Sequence, residues 1–137
     1  MSGNASALAA LIAAAAAARA HAYAPYSRFA VGAAIRAADG TLHAGANVEN
    51  AAYPQGQCAE ASAIGAMIAA GGRRISEMVV LADGEALCAP CGGCRQRIRE
   101  FAAPETPIYI AGPEGLRLKT SLAELLPYSF GPENLKQ

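Results

Sequence analysis

Two short cysteine segments about thirty residues apart limit the folds open to this 137-residue chain: Cys58-Ala59-Glu60 and Pro90-Cys91-Gly92-Gly93-Cys94. Thiols that act together must meet at one point, so the chain between the segments has to leave that point and return to it. Three protein ligands leave a fourth tetrahedral position on a Zn²⁺ ion for water, and a nearby carboxylate can move that water's protons. Three thiols and Glu60 therefore read as a catalytic centre. The alternative is a closed four-cysteine site that adds Cys88, since Cys88-x-x-Cys91 is as good a knuckle as Cys91-x-x-Cys94. A zinc ribbon, however, usually has two separate knuckles, and Cys58 has no cysteine neighbour while it does have Glu60.

The bulk properties narrow the partners. Eleven basic and eleven acidic residues give no net charge, so no global field holds a phosphate backbone or an anionic membrane surface. Neither nucleic acid nor membrane is an expected partner. Four cysteines, three of them crowded at Cys88, Cys91 and Cys94, suit a metal site in a reducing compartment better than a disulfide scaffold, so a cytoplasmic location is expected. The apolar run Ala5 to Ala18 has no Lys or Arg before it, unlike a signal peptide, and is too short and alanine-rich to span a bilayer. The length suits a single domain over residues 1–137.

Taken in order, Leu8, Leu11, Ile12 and Ala15 at helical spacing predict a helix over residues 5–22. Strands follow over 29–37 and 41–48, with Asp39-Gly40 as a hairpin turn. Asn47 and Glu49 lie two apart, so extended backbone places them on one face. Residues 58–70 form a helix ended by Gly71-Gly72, which puts Cys58 and Glu60 in its first turn. Met78 to Leu81 reads as a buried strand, residues 91–101 as a helix behind Pro90, and residues 107–110 and 116–118 as two more strands. Ser121-Leu122-Ala123-Glu124 has the form of a capping box that opens a short helix ended by Pro127. Strands alternating with helices in mid-chain require crossovers, which predicts an α/β fold: three α/β/α layers around a mixed five-stranded sheet.

Cys91 and Cys94, three apart at a helix start, share one face, where the helix dipole favours thiolates. If Cys58 opens a second helix aimed at the same point, the three sulfurs can hold Zn²⁺. Glu60 then stands beside the metal, placed to take a proton from water and deliver it to a leaving amine. Three thiolates on a divalent ion leave one net negative charge, which helix dipoles must soften.

Cys-Ala-Glu followed about thirty residues later by Pro-Cys-x-x-Cys resembles the cytidine deaminase family, specifically its small homotetrameric type; the zinc deaminase signature is a documented pattern. The likeness extends over residues 22–29, over Asn47-Val48-Glu49-Asn50-Ala51, Cys91-Gly92-Gly93-Cys94-Arg95-Gln96, and the tail from Leu125 to Pro132. It implies that Cys58, Cys91 and Cys94 bind one Zn²⁺ per subunit and that Glu60 is the proton shuttle. It further implies that Asn47 and Glu49 bond the ribose, that Phe29 lines the pyrimidine pocket, and that Ala59 also contacts substrate. Phe130 would stack on a base held by another subunit of a homotetramer, with pockets shared between chains. From the residues alone, Asn47 and Asn50 shape a turn as readily as they bind a sugar. Phe29 and Phe130 would ordinarily be core residues, and the sequence leaves Tyr26 and Tyr53 open between pocket contacts, subunit contacts and ordinary packing.

Two positions depart from the family. Many relatives carry arginine directly after Cys-Ala-Glu, where this chain has Ala61, so something else must balance the thiolate charge. Cys88 is additional and is expected to be a small, partly buried thiol. The implied reaction is hydrolytic deamination of cytidine and 2′-deoxycytidine in pyrimidine salvage. The alternatives are deamination of another small aminopyrimidine nucleoside, a polynucleotide-editing deaminase, and a non-catalytic four-cysteine zinc module.

Overall fold

Gly40, at φ +89°, turns the chain between β1 (Val31–Ala37) and β2 (Leu42–Ala46), which pair antiparallel from Gly32↔Ala46 to Arg36↔Leu42. A non-glycine residue resists that left-handed backbone, which is why Asp39-Gly40 is a turn signal. In the computed structural model, which describes residues 2–135, this pair belongs to one five-stranded sheet of order β2-β1-β3-β4-β5. β3 (Ile75–Ala82) runs antiparallel to β1 and parallel to β4 (Pro107–Gly112), and β4 pairs antiparallel with β5 (Gly115–Ser121).

Helices cover both faces. Along β1 the side chains alternate: Ala33, Ile35 and Ala37 join the core beneath α2 (Ala59–Ala69) and α3 (Gly92–Phe101), and Ala34 joins Leu11 and Ala15 of α1 (Ser2–Arg19) on the other side. Leu122, which opens the short α4 (Leu122–Leu125), packs with α2 and α3. The expected three-layer α/β/α architecture with a mixed five-stranded sheet is the one observed. The α1 layer lies very close to the sheet, since a Cβ on Gly32 would fall 2.0 Å from the Ala15 carbonyl oxygen. On the opposite face, a Cβ on Gly45 would fall 2.5 Å from the Ala63 nitrogen of α2.

Some boundaries differ from those expected. α1 ends at Arg19, not at residue 22, because Tyr23 leaves helical geometry to bond Asn47 and Glu49 through its backbone. Alanine propensity yields there to tertiary pairing. β1 starts at Val31, two residues later than expected, and β2 stops at Ala46. β3 extends well beyond residues 78–81, because it is central and paired on both edges; polar Ser76 and Glu77, which hide it in the sequence, bond Arg36. The capping box is half formed: Ser121 Oγ accepts from the Glu124 backbone N–H, while the Glu124 carboxylate takes the Ser121 hydroxyl rather than a backbone donor.

Candidate active site

α2 and α3 start near one another on the same face of the sheet, and that convergence builds the site. Cys58 and Cys91 are the N-cap residues of these helices, both in extended backbone (φ −73°, ψ 157° and φ −66°, ψ 166°), one position earlier than the sequence suggests. Cys94 is the third residue of α3. Helix N-terminal N–H groups surround these positions, a field that favours an anion and works against the cost of burial. The sulfurs of Cys58, Cys91 and Cys94 all lie within 4.8 Å of one another. Sulfurs sharing a tetrahedral Zn²⁺ at about 2.3 Å stand about 3.8 Å apart, so the donor set and its spacing fit that ion. Cys88 stands outside the group, so the spacing provides three sulfurs rather than a closed four-cysteine site.

Burial grades across the cluster: Cys94 is buried, Cys58 half-buried and Cys91 exposed. Burial raises the Cys94 and Cys58 thiols above their ordinary value, whereas the Cys94 backbone N–H lowers Cys91. Glu60, the second residue of α2, is only 5% exposed. Burial pushes its carboxyl above the usual carboxylate range, and the charge of Arg97 draws it partly back. A carboxyl so placed holds a proton nearer neutrality than a free one does, as a group that both takes and gives protons must.

The expected substrate residues are brought near one another by the loop before β1. Asn47 Oδ1 accepts from the Val31 N–H at 2.9 Å, and its Nδ2 donates to the Phe29 carbonyl at 2.8 Å. Glu49 accepts from the backbone N–H groups of Tyr26 and Ser27 at 2.9 and 3.1 Å and from the Ser27 hydroxyl. Both side chains thus shape this loop, and each keeps unused capacity: one amide hydrogen and one lone pair on Asn47, and further lone pairs on Glu49. Asn50 closes a local turn by accepting from the Ala52 N–H. Tyr26, Ser27, Glu49, Asn50, Tyr53 and Gly56 line a cavity of about 380 Å³, and the Tyr26 and Tyr53 rings meet edge to face at 6.0 Å. Ser27 lies in the family-like segment 22–29 without an assigned role there; its role emerges only when Glu49 folds onto it.

Phe29 and Phe130 are 44% and 57% exposed, so neither is the core residue that composition alone suggests. Phe130 lies on the flank of α3, its carbonyl accepting from Gln96 Nε2 at 3.0 Å. Among the described residues, the two non-glycine residues at positive φ, Arg28 (61°) and Tyr128 (53°), fall one and two positions before these rings. Strained backbone of this kind persists where surrounding contacts over-determine it, often at binding segments. The methyl of Ala59 is packed in the core, so what that residue can offer a ligand is a backbone N–H at the start of α2. Among the described residues no helix is long and apolar enough to cross a membrane.

An α/β/α sheet carrying three convergent thiols and one buried carboxylate defines a zinc-binding hydrolytic enzyme. The profile described as "Cytidine and deoxycytidylate deaminase zinc-binding region" matches residues 6–110. The chain belongs to the cytidine deaminase family. It is 44% identical over 118 residues to a cytidine deaminase of Sporosarcina psychrophila, covering 86% of this chain and 87% of that one. A cytidine deaminase of Mycobacterium tuberculosis is 40% identical over 118 residues, with 86% and 85% covered. Among solved structures, the cytidine deaminase of Burkholderia pseudomallei superposes with a TM-score of 0.83 at 42% identity, covering 89% of this chain and 98% of the other. That of Mycobacterium leprae gives 0.74 at 43% identity, with 87% and 96% covered.

Proposed function

We propose that the protein deaminates cytidine and 2′-deoxycytidine hydrolytically to uridine and 2′-deoxyuridine, releasing ammonia, as a homotetramer serving pyrimidine salvage in the cytoplasm. The observation that carries this reading is the burial of Glu60 two residues beyond Cys58, beside three sulfurs that converge from two helix N-termini. Cys58, Cys91 and Cys94 would hold the zinc ion, which when bound would supply the Lewis acidity that makes water nucleophilic near neutral pH. Glu60 takes a proton from the attacking water and gives it to the ring nitrogen beside the amine-bearing carbon. It then carries the second proton to the amine, which leaves as ammonia, so water and cytidine balance against uridine and ammonia.

The remaining residues hold the nucleoside. Asn47 and Glu49 use their spare donor and acceptor positions for the sugar hydroxyls, the Ala59 N–H meets the pyrimidine, and the Phe29 ring walls the base. The exposed Phe130 ring closes the pocket of a neighbouring subunit. Support for that assembly comes from the aromatic surface that one chain leaves uncovered: Tyr26, Phe29, Tyr53, Tyr128 and Phe130 are all half or more exposed or close to it.

The test follows the ultraviolet change from cytidine to uridine while zinc is quantified in the same sample. Wild-type protein should turn over cytidine with one zinc per chain. Glu60→Gln should keep the zinc and lose turnover by at least the 10²–10⁴-fold typical of a lost general acid–base. Retained turnover in Glu60→Gln would remove that residue from the reaction.

A further inference from the structure

Three thiolates on a divalent cation carry one net negative charge, and α2 brings no side-chain cation to it, since Ala61 follows Glu60. The structure holds a cation there nonetheless, delivered from the other helix. Arg97 stands one turn beyond Cys94 on α3, and its Nη1 donates to Cys94 Sγ at 3.5 Å. Among the described residues no other arginine or lysine donates to any of the three sulfurs, and Arg97 enters no ion pair with a carboxylate. Its charge also reaches the Glu60 carboxyl, so the one guanidinium acts on both the Cys94 sulfur and its acidic neighbour. Ala61, Gly65 and Arg97 line one cavity of about 440 Å³ between α2 and α3. Small residues on α2 leave the room that a guanidinium reaching over from α3 requires.

Resting on the zinc reading above, we propose that Arg97 is the positioning residue of the metal site, fixing the Cys94 thiolate and offsetting the cluster's charge in place of a cation after Glu60. A charged donor to a thiolate is stronger than a neutral one, and the acceptor here is buried. Removing such an outer partner of a metal ligand typically lowers metal affinity 10- to 100-fold.

The experiment compares wild type, Arg97→Met and the double variant Ala61→Arg/Arg97→Met by competition for Zn²⁺ against a chelator, together with the sulfur-to-metal absorption of the Co²⁺-loaded proteins. Arg97→Met should lose zinc at roughly 10- to 100-fold lower chelator strength and shift the Co²⁺ band. The double variant should regain most of the affinity, because a guanidinium again reaches the sulfurs, now from α2. Arg97→Gln serves the same comparison if the methionine variant does not fold. Unchanged affinity and spectrum in Arg97→Met overturn the proposal, and so does a loss that Ala61→Arg leaves unrepaired, which would assign the effect to packing. Wild-type protein that takes up no zinc would instead refute the metal site itself, whatever Arg97 does.

Discussion

Glu49 holds the loop before β1 with one carboxylate, a role that can be measured without any substrate and apart from its proposed part in sugar binding. Its bonds from Ser27 and Tyr26 favour the charged form, the Ser27 hydroxyl most, so its pKa lies below the ordinary 4.5. A group lowered on folding lends stability that is fully present above its unfolded value and is lost as pH falls through the folded one. The backbone amide signals of Tyr26 and Ser27 should therefore titrate together below pH 4.5 in wild type and stay flat there in Glu49→Gln. Because the site is solvent-exposed, the effect should be confined to this loop rather than unfold the chain. The convergence of Cys58, Cys91 and Cys94 was legible in the sequence because their spacing is dictated by helix geometry and metal chemistry. Ser27 and Arg97 were not. A serine donor to Glu49 depends on a fold of the loop that no periodicity encodes, and nothing in the sequence marks which of Arg95, Arg97 and Arg99 meets a sulfur rather than the tail.

The close approaches on the two faces of the sheet separate the roles of the helices. Adding a methyl at Gly32 presses on Ala15 of α1, and adding one at Gly45 presses on Ser62 and Ala63 of α2. Overpacking of this kind costs about 1–3 kcal/mol. Gly32→Ala and Gly45→Ala should thus both lower the melting temperature by several degrees. Only Gly45→Ala should also weaken zinc retention, because α2 carries Cys58 and α1 carries no ligand; equal zinc affinity in the two variants would contradict that division. The elements themselves were readable wherever a period or a stop signal was strong: the alanine-rich helix, the Asp-Gly hairpin, the Gly-Gly helix end. Where they were misjudged, as in the span of β3 and the end of α1, contacts distant in sequence had set the limit. Arg36 bonds the polar residues that mask β3, and Val48 pairs with Tyr23 past the end of α1.

At the scale of the whole molecule, α3 joins the cysteine cluster to the tail, two places that the proposed function uses together. Its first turn presents Cys94, and its flank fastens the tail: Arg95 Nη1 donates to the Leu125 carbonyl at 2.8 Å, Arg99 Nε to Ser129 Oγ at 3.0 Å, and Arg99 pairs with Glu133. Loss of the Phe130 ring should forfeit about 1–3 kcal/mol of base stacking, a rise in KM of roughly 5- to 150-fold, with little change in melting temperature because the ring is exposed. Mixing Phe130→Ala chains with Glu60→Gln chains should recover full-strength pockets, each with Glu60 from one chain and Phe130 from the other; no recovery would sink the shared assembly. The fastening of the tail also bears on how the protein can be handled. A fusion partner or surface tether joined at the carboxyl end would load the strand of chain that α3 grips. One reached through α1 approaches from the far side of the sheet, so immobilised or reporter-linked forms should be attached by the amino end.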